Sequence, residues 1–456
     1  MAEVDSRIRA NLPVWLDEVS EFCRIPSETG RRADLEAAAA WTAARLARAG
    51  GDVRELRLDG VPPLLLADFG RGSEEIVLAH HYDVQPAGDP TEWTSVPYEP
   101  RLTDGRLFAR GAADNKGGLL ARLWGIEVLR SVLGALPCRV RILVEGEEES
   151  GSQHLEALLG GHARPAAVAL IEGGLIDPVG RPRIICGMRG LLVVDVSVRT
   201  IDHDAHSAHA VYLPNAIARL VAALATLHDD RGLPSFDGLH ADVRPPSEAQ
   251  LALVDAIPDD DLAAARDEYR ITSLVAARSA HEAHRAMTFE PTCNIQGIWG
   301  GYQGQGMKNI VPHAAHARLD LRLVPDQAPT QVLAALRSHL DARGFQDVDV
   351  TAQANSLRAY FAPPDHAVVA VAASVSEEVL QRPAIRQVAE SGAGPMAIIC
   401  APFAIPMVSL GGGRDDCRAH APDEHVRVDD LEATARMMAR FVHDIGHGTA
   451  GHGSTG

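Results

Sequence analysis

Arg139-Val-Arg-Ile-Leu-Val144 runs directly into Glu145-Gly146-Glu147-Glu148-Glu149-Ser150-Gly151-Ser152. The first half is a short β-branched run, the pattern of a strand rising out of a core. The second half sets three consecutive carboxylates at the mouth of that strand. Like charges this close stay ionised together only when something positive sits beside them. Taken alone, the stretch reads more simply as a solvated acidic turn ahead of a helix. What the rest of the chain puts beside it decides.

Outward from this strand, apolar runs and helical periods alternate. On the amino-terminal side, residues 4–24 and 34–49 have helical spacing. Val61–Phe69 and Glu75–His80 read as strands, and Lys116–Leu133 as a helix leading into Arg139. The 75–80 run is wholly apolar after Glu75, as in a strand buried on both faces. This alternation predicts an α/β domain with helices covering the sheet. Near residue 190 the pattern changes. Gly190–Arg199 and Ala315–Leu323 alternate apolar and polar residues, separated by a helix over 214–227 and followed by one over 330–343. Residues 229–290 read as loops with a helix near 259–283. These features predict an α+β sandwich over 191–362, inserted between the halves of an α/β domain spanning 1–190 and 363–445. The Gly- and His-rich stretch 446–456 is expected to be disordered, its two histidines carrying no function.

The bulk composition narrows the function. A chain of 456 residues is long for a single core. Its 46% hydrophobic and 23% charged content is that of a soluble globular protein. A net charge of −18 argues against a nucleic-acid partner. No apolar run approaches membrane-spanning length, and Met1-Ala-Glu-Val-Asp-Ser has neither a basic nor an apolar segment of a secretory leader. The six cysteines are scattered without a Cys-x-x-Cys pair, so a reducing, cytoplasmic setting with free thiols is expected. Only Lys116 and Lys308 represent lysine, both in glycine-rich stretches.

Other strand ends carry polar groups too. In His80-His81-Tyr82-Asp83, His81 and Asp83 share a face of an extended chain, which lets a carboxylate orient a metal-bound imidazole. Arg110-Gly-Ala-Ala-Asp114-Asn-Lys-Gly117 places an aspartate in a glycine-flanked loop, where a helix N-cap is the simpler alternative. Glu172 ends the apolar run Ala167–Ile171, and His420 lies in the glycine-loosened loop after the buried stretch 404–410. Two histidines and several carboxylates at strand ends form a donor set that zinc accepts in hydrolytic sites and that manganese or cobalt also suits.

The segments His81-Tyr-Asp-Val-Gln-Pro86, Arg110–Gly117, Glu145–Ser152 and His420-Ala-Pro-Asp-Glu424 together resemble the signature of the M20 metallopeptidases, in particular the carnosine dipeptidase-like branch. Gly306-Met-Lys-Asn-Ile-Val-Pro312 and Arg322-Leu-Val-Pro325 extend the likeness over nearly the whole chain. The resemblance implies a zinc-exopeptidase-like catalytic domain with an inserted lid and dimerisation domain, and a homodimer. It also implies two Zn2+ ions, with Mn2+ or Co2+ as alternatives. Asp114 would bridge them, His81 and Glu172 would complete one site, and Glu149 and His420 the other. Glu148 would be the general base acting on a metal-bridging water, with Asp83 orienting His81. An extended segment would turn the adjacent Glu148 and Glu149 in opposite directions. Glu147 is expected to play no part, and Glu145 to support the site. His206, in Asp204-Ala-His-Ser207, would stabilise the oxyanion from a partner subunit. Arg322 would bind a substrate carboxylate, and Asn309 stands where the family often has threonine.

One departure concerns specificity. Ala389-Glu-Ser-Gly-Ala-Gly-Pro395 lacks the arginine and the serine that the family's dipeptidases usually carry at the positions of Ala389 and Ala393. The expected function is therefore hydrolysis of a dipeptide or a related small N-acyl amino acid. An N-acyl or N-carbamoyl amino acid amidohydrolase, or a biosynthetic amide-processing enzyme of the same fold, is the alternative. A non-catalytic peptide-binding protein would be expected to lose the base or the ligand residues, and neither is lost.

Overall fold

The computed structural model describes residues 1–258 and 260–448. These divide into two compact units, one formed by Met1–Gly187, Phe361–Ala389 and the chain from Pro395 onward, the other by Met188–Tyr360 and Glu390–Gly394.

The first unit is built on a six-stranded sheet in the order 52–56, 64–69, 139–145, 75–81, 168–171, 407–409. Arg139–Glu145, Glu75–His81, Val168–Ile171 and Met407–Ser409 run parallel. Leu64–Phe69 and Asp52–Leu56 close one edge as antiparallel neighbours. The central strands are buried along almost their whole length, which explains why they read as continuous apolar runs instead of alternating ones. The edge strand Asp52–Leu56, largely exposed, is too short and polar to have produced a signal.

Ala2–Cys23, Arg32–Arg48, Gly117–Leu133, Ala367–Leu380 and Val428–Gly446 contribute helical residues to the main core. Trp15 of the first helix stacks on Trp124 at 4.7 Å between ring centroids, and the indole N–H of Trp124 donates to Glu18 at 2.9 Å. Such a pair contributes roughly 0.5–1.5 kcal/mol beyond its buried area. Gly125 lets the 117–133 and 428–446 helices approach backbone to backbone, because a Cβ there would collide with the Ala435 carbonyl oxygen and stand 3.1 Å from the Ala439 nitrogen.

In the second unit, Asn294–Gly300, Ala314–Leu323, Gly187–Arg199 and Val348–Ala352 form an antiparallel sheet in that order. Leu192, Val194, Val196, Leu319 and Leu321 meet Leu220 and Leu224 of Ala216–Ala225 and Leu336 and Leu340 of Pro329–Ala342 in one core. The half-buried alternation along 187–199 is the consequence of this single covered face.

One expectation requires correction. Among the described residues, 229–290 hold three α-helices, Glu248–Asp255, Asp260–Tyr269 and Ala280–Phe289, not one near 259–283. Ser247 with Gln250, and Ser279 with Glu282, form capping boxes that start two of them; at eight and ten residues these helices are too short for a helical period to stand out. Of the stretch 446–456, Gly446 ends the last helix, the His447 ring meets the His443 carbonyl at 2.7 Å, and residues 449–456 lie outside the described residues. Among the described residues, no helix is long and apolar enough to cross a membrane.

Overpacking a tight helix–helix contact costs about 1–3 kcal/mol. Gly125→Ala is accordingly expected to lower the denaturant midpoint with an unchanged slope; a midpoint equal to that of the wild type would show that the two helices can separate freely.

Candidate metal centre

All four parallel strands of the first unit point their carboxyl ends the same way, where an open α/β sheet presents a crevice. His81 is the last residue of its strand, Glu172 follows Ile171, and the acidic cluster follows Glu145. The chain after Ser409 leads through a glycine loop to His420. A Cβ on Gly411 would stand 2.5 Å from the Gly173 carbonyl oxygen, so glycine there lets the 171–174 and 409–413 loops pack directly together.

His81 Nε2 lies 3.1 Å from Asp114 Oδ1 and 3.1 Å from Glu172 Oε2. His420 Nε2 lies 3.0 Å from the other oxygen of Asp114 and 3.3 Å from Glu149 Oε2. One carboxylate is thus shared between two imidazole–carboxylate pairs. His81, Asp114 and Glu149, and likewise His81, Glu148 and Glu172, place donor atoms within 4.8 Å of one another. This donor set, with its shared carboxylate, fits two divalent cations of the kind that accept nitrogen and oxygen ligands.

The residues around the cluster hold it in place. Asp83 accepts from the Glu149 backbone N–H at 3.1 Å through Oδ2. His81 Nδ1 is 2.9 Å from the Asp83 carbonyl oxygen and 3.4 Å from its carboxylate Oδ1, so the backbone of Asp83 orients the imidazole more closely than its side chain. Gln85 donates to Glu149 from its backbone N–H at 3.1 Å and from its side chain at 2.9 Å. Glu148 and Glu149 begin a 3-10 turn over Glu148–Ser150, not an extended segment. Successive residues in such a turn are about 120° apart, and this rotation sends Glu149 toward His420 while Glu148 lines a small cavity with Glu145, Glu172, Ile171 and Met396. Glu147 is paired instead with His154 at 2.8 Å, and Glu145 accepts from Ser152 at 2.9 Å.

Asp114 is not a helix N-cap. It sits in a wider helical turn, Ala112–Lys116, ahead of the 117–133 helix, with non-helical dihedrals of its own. Fully buried Glu424 holds this turn, accepting from the backbone N–H groups of Gly111, Ala113 and Asp114 at 3.0, 2.9 and 3.0 Å and from Arg110 at 2.6 Å. Lys116 anchors the other side by donating to the carbonyls of Phe22 and Ile25 at 3.1 and 2.7 Å. The roles of Glu424 and Lys116 are invisible in their motifs, because their partners are backbone groups far away in sequence. Arg122, the one charge in an otherwise apolar helix segment, was the overlooked signal: it is buried beneath the site.

The electrostatics of the cluster follow from crowding. Burial works to raise Asp114, but hydrogen bonds from His420 and His81 hold its carboxyl well below the usual range. Burial opposes the charged form of His81, yet Glu172, Asp114 and Asp83 keep it well above the ordinary imidazole value. His420 is pushed up to about 10 by Asp114 and Glu149. Burial, and then the nearby Glu172, raises Glu148 well above a normal glutamate, and burial with Asp83 pushes Glu145 up to about 8. Protonated imidazoles stand here in positions where cations would balance the carboxylates.

His206, Asn309 and Arg322 belong to the second unit. His206, exposed, pairs in a two-residue strand with Ile310, and the Asn309 carbonyl accepts from Ser207 at 3.1 Å; these two residues are neighbours. Half-buried Arg322 lines a cleft of about 800 Å³ together with Arg278, Thr292, Asn294 and Ser391. Asp204 is occupied by His313 at 2.6 Å and Lys308 at 3.1 Å.

Residues 77–444 match the peptidase family M20/M25/M40. Beta-Ala-His dipeptidase of Rattus norvegicus is 31% identical over 291 residues, covering 62% of this chain and 58% of the rat protein, so the match falls short of two thirds of that relative's length. The Cys-Gly metallodipeptidase dug1 of Schizosaccharomyces pombe is 24% identical over 424 residues, 86% of each chain. Among solved structures, an M20 family metallo-carboxypeptidase from Sulfolobus solfataricus superposes with a TM-score of 0.87 at 30% identity, covering 94% of this chain and 98% of that one. With its shared aspartate between two imidazole–carboxylate pairs, and a family match running through all of these residues, the chain belongs to the M20/M25/M40 peptidase family.

Proposed function

We propose that the protein is a dinuclear metal-dependent hydrolase that cleaves the amide bond of a dipeptide or a related small N-acyl amino acid. The observation that carries this reading is Asp114, whose two oxygens face His81 and His420 at 3.1 and 3.0 Å. We assign His81 and Glu172 to one cation, His420 and Glu149 to the other, and Asp114 to both, with zinc the preferred ion and manganese or cobalt acceptable. A pair of such cations polarises an amide carbonyl and lowers the pKa of water. Glu148 is the general base in this reading: it takes a proton from the attacking water and returns it to the leaving amine. Asp83 keeps the His81 imidazole in one orientation.

We further propose His206, Asn309 and Arg322 as substrate contacts, Arg322 toward a carboxylate. The dipeptidase and carboxypeptidase names of the relatives support a peptide-like substrate. The absence of arginine and serine side chains at Ala389 and Ala393 favours a second reading, an N-acyl or N-carbamoyl amino acid amidohydrolase. A homodimer is supported by the edge strand Asn294–Gly300, which exposes Ile295, Ile298 and Trp299. All six cysteines are free, which supports a cytoplasmic setting.

A dipeptide panel and a matched set of N-acyl amino acids, assayed with and without chelator, test the reaction. Chelator-sensitive turnover of dipeptides is expected; faster turnover of acylated amino acids would select the second reading, and no turnover of either by metal-loaded protein would remove both. Glu148→Gln is expected to reduce kcat by about 10²–10⁴-fold with full metal content. Loss of metal in that variant would instead make Glu148 a ligand.

Cation binding is also expected to release protons. His420 lies above its ordinary value of 6.5, at about 10, in the metal-free protein, and His81 is raised as well. Both therefore carry protons at neutral pH that a bound cation must displace. Affinity should climb as the pH rises toward 10, with proton uptake by a weak buffer during zinc titration as the readout. Titration near pH 7.5 without proton release would contradict the assignment of these histidines as ligands.

A further inference from the structure

Beneath the cluster, Arg122 projects from the 117–133 helix and is 1% exposed. Its Nη2 donates to the carbonyls of Ile171, Gly173 and Leu410 at 2.5, 2.7 and 2.7 Å, and its Nε also reaches Leu410 at 3.2 Å. These carbonyls lie at the carboxyl ends of the parallel neighbours 168–171 and 407–409, whose following loops deliver Glu172 and lead to His420. The remaining arm, Nη1, lies 3.2 Å from Nε2 of His80, at the end of the third parallel strand, next to His81. One guanidinium therefore ties together three strand ends.

The contacts beyond His80 have a direction. A guanidinium only donates hydrogen bonds, so His80 Nε2 must accept and its proton must be on Nδ1. His80 Nδ1 is 2.6 Å from Asn115 Oδ1 and donates to it. With its oxygen occupied, the Asn115 amide turns its NH2 toward Glu172 and donates to Oε2. A donor-only group at one end thus dictates what the carboxylate at the other end receives, through Arg122, His80, Asn115 and Glu172 in turn. Without Arg122, His80 could adopt the other tautomer. Asn115 could then flip and set two oxygens against each other.

We propose that Arg122 and His80 are positioning residues for Glu172, setting the polarity of a hydrogen-bond relay that holds this carboxylate as an acceptor aimed at His81. Resting on the dinuclear reading above, this assigns the relay to the cation held by His81 and Glu172, and not to the one held by His420 and Glu149, whose carboxylate accepts from Gln85 and whose backbone N–H donates to Asp83. Such outer contacts typically change metal affinity by 10–100-fold when removed.

The test separates polarity from packing. Stepwise Co2+ binding is measured by absorption spectroscopy and equilibrium dialysis on the wild type, His80→Leu and His80→Gln, with melting curves alongside. Glutamine can accept from Arg122 and donate to Asn115, whereas leucine fills space only. His80→Leu is expected to weaken one of two Co2+ equivalents by about tenfold and leave the other near wild type, and His80→Gln to keep both. Equal weakening of both equivalents, equal effects of leucine and glutamine, or no change would overturn the relay. Should His80→Leu fail to fold, 15N NMR of the Zn2+-loaded wild type decides, with the His80 ring signal identified by its loss in His80→Gln. A proton on Nδ1 supports the relay and a proton on Nε2 overturns it. A wild-type protein that binds no Co2+ at all would fell the dinuclear reading by a separate result.

Discussion

Asp114 accepts an imidazole on each of its two oxygens, and much of the first unit serves to keep it there. A carboxylate can be shared in this way only if its backbone is held more rigidly than either partner. Glu424 supplies that rigidity by accepting from three backbone N–H groups in and beside the Asp114 turn, those of Gly111, Ala113 and Asp114, and from the Arg110 guanidinium. The arrangement is costly if broken, since removing one partner of a buried charge pair leaves the other uncompensated. His420 reaches Asp114 from a loop where its own φ is +64°, a conformation uncommon for histidine. Backbone strain of this kind persists when surrounding contacts over-determine it.

A second constraint is charge. Asp83, Asp114, Glu148, Glu149 and Glu172 converge in a small region, with Glu145 buried behind them. The buried cations nearby are committed elsewhere: Lys116 to main-chain carbonyls and Arg122 to strand-end carbonyls and His80. Among these side chains the balance falls to the raised imidazoles of His81 and His420, and burial shifts Glu148 toward its neutral form. This is the electrostatic signature of a site arranged around positive charge that its own side chains do not supply.

Legibility followed the strength of the local signal. The strands 75–81 and 139–145 stood out because both faces are buried and nearly every position is apolar. The strands 187–199 and 314–323 stood out by alternation, because one face is covered. Short helices such as Glu248–Asp255, eight residues long, did not, although Ser247 and Gln250 mark the start of that one. The acidic stretch at 145–152 illustrates both outcomes. Its position after a buried strand was readable, whereas the 3-10 turn that rotates Glu148 away from Glu149 was not. Glu147 was set apart from its neighbours by resemblance, and its pairing with His154 is a contact the motif does not show.

By itself, the sequence determined which residue types stand at the ends of which strands, because burial, period and glycine placement are local properties written in consecutive residues. Tertiary structure alone decided that residues from positions 81, 114, 149, 172 and 420 meet around one carboxylate, since parallel strand order brings together segments hundreds of residues apart. It also decided which groups orient them. Glu424 acts on backbone N–H groups, Arg122 on carbonyls, and Asn115 through a direction of hydrogen bonding set by its neighbours. Backbone groups are present at every residue, so no pattern of side chains announces which of them a distant charge will find.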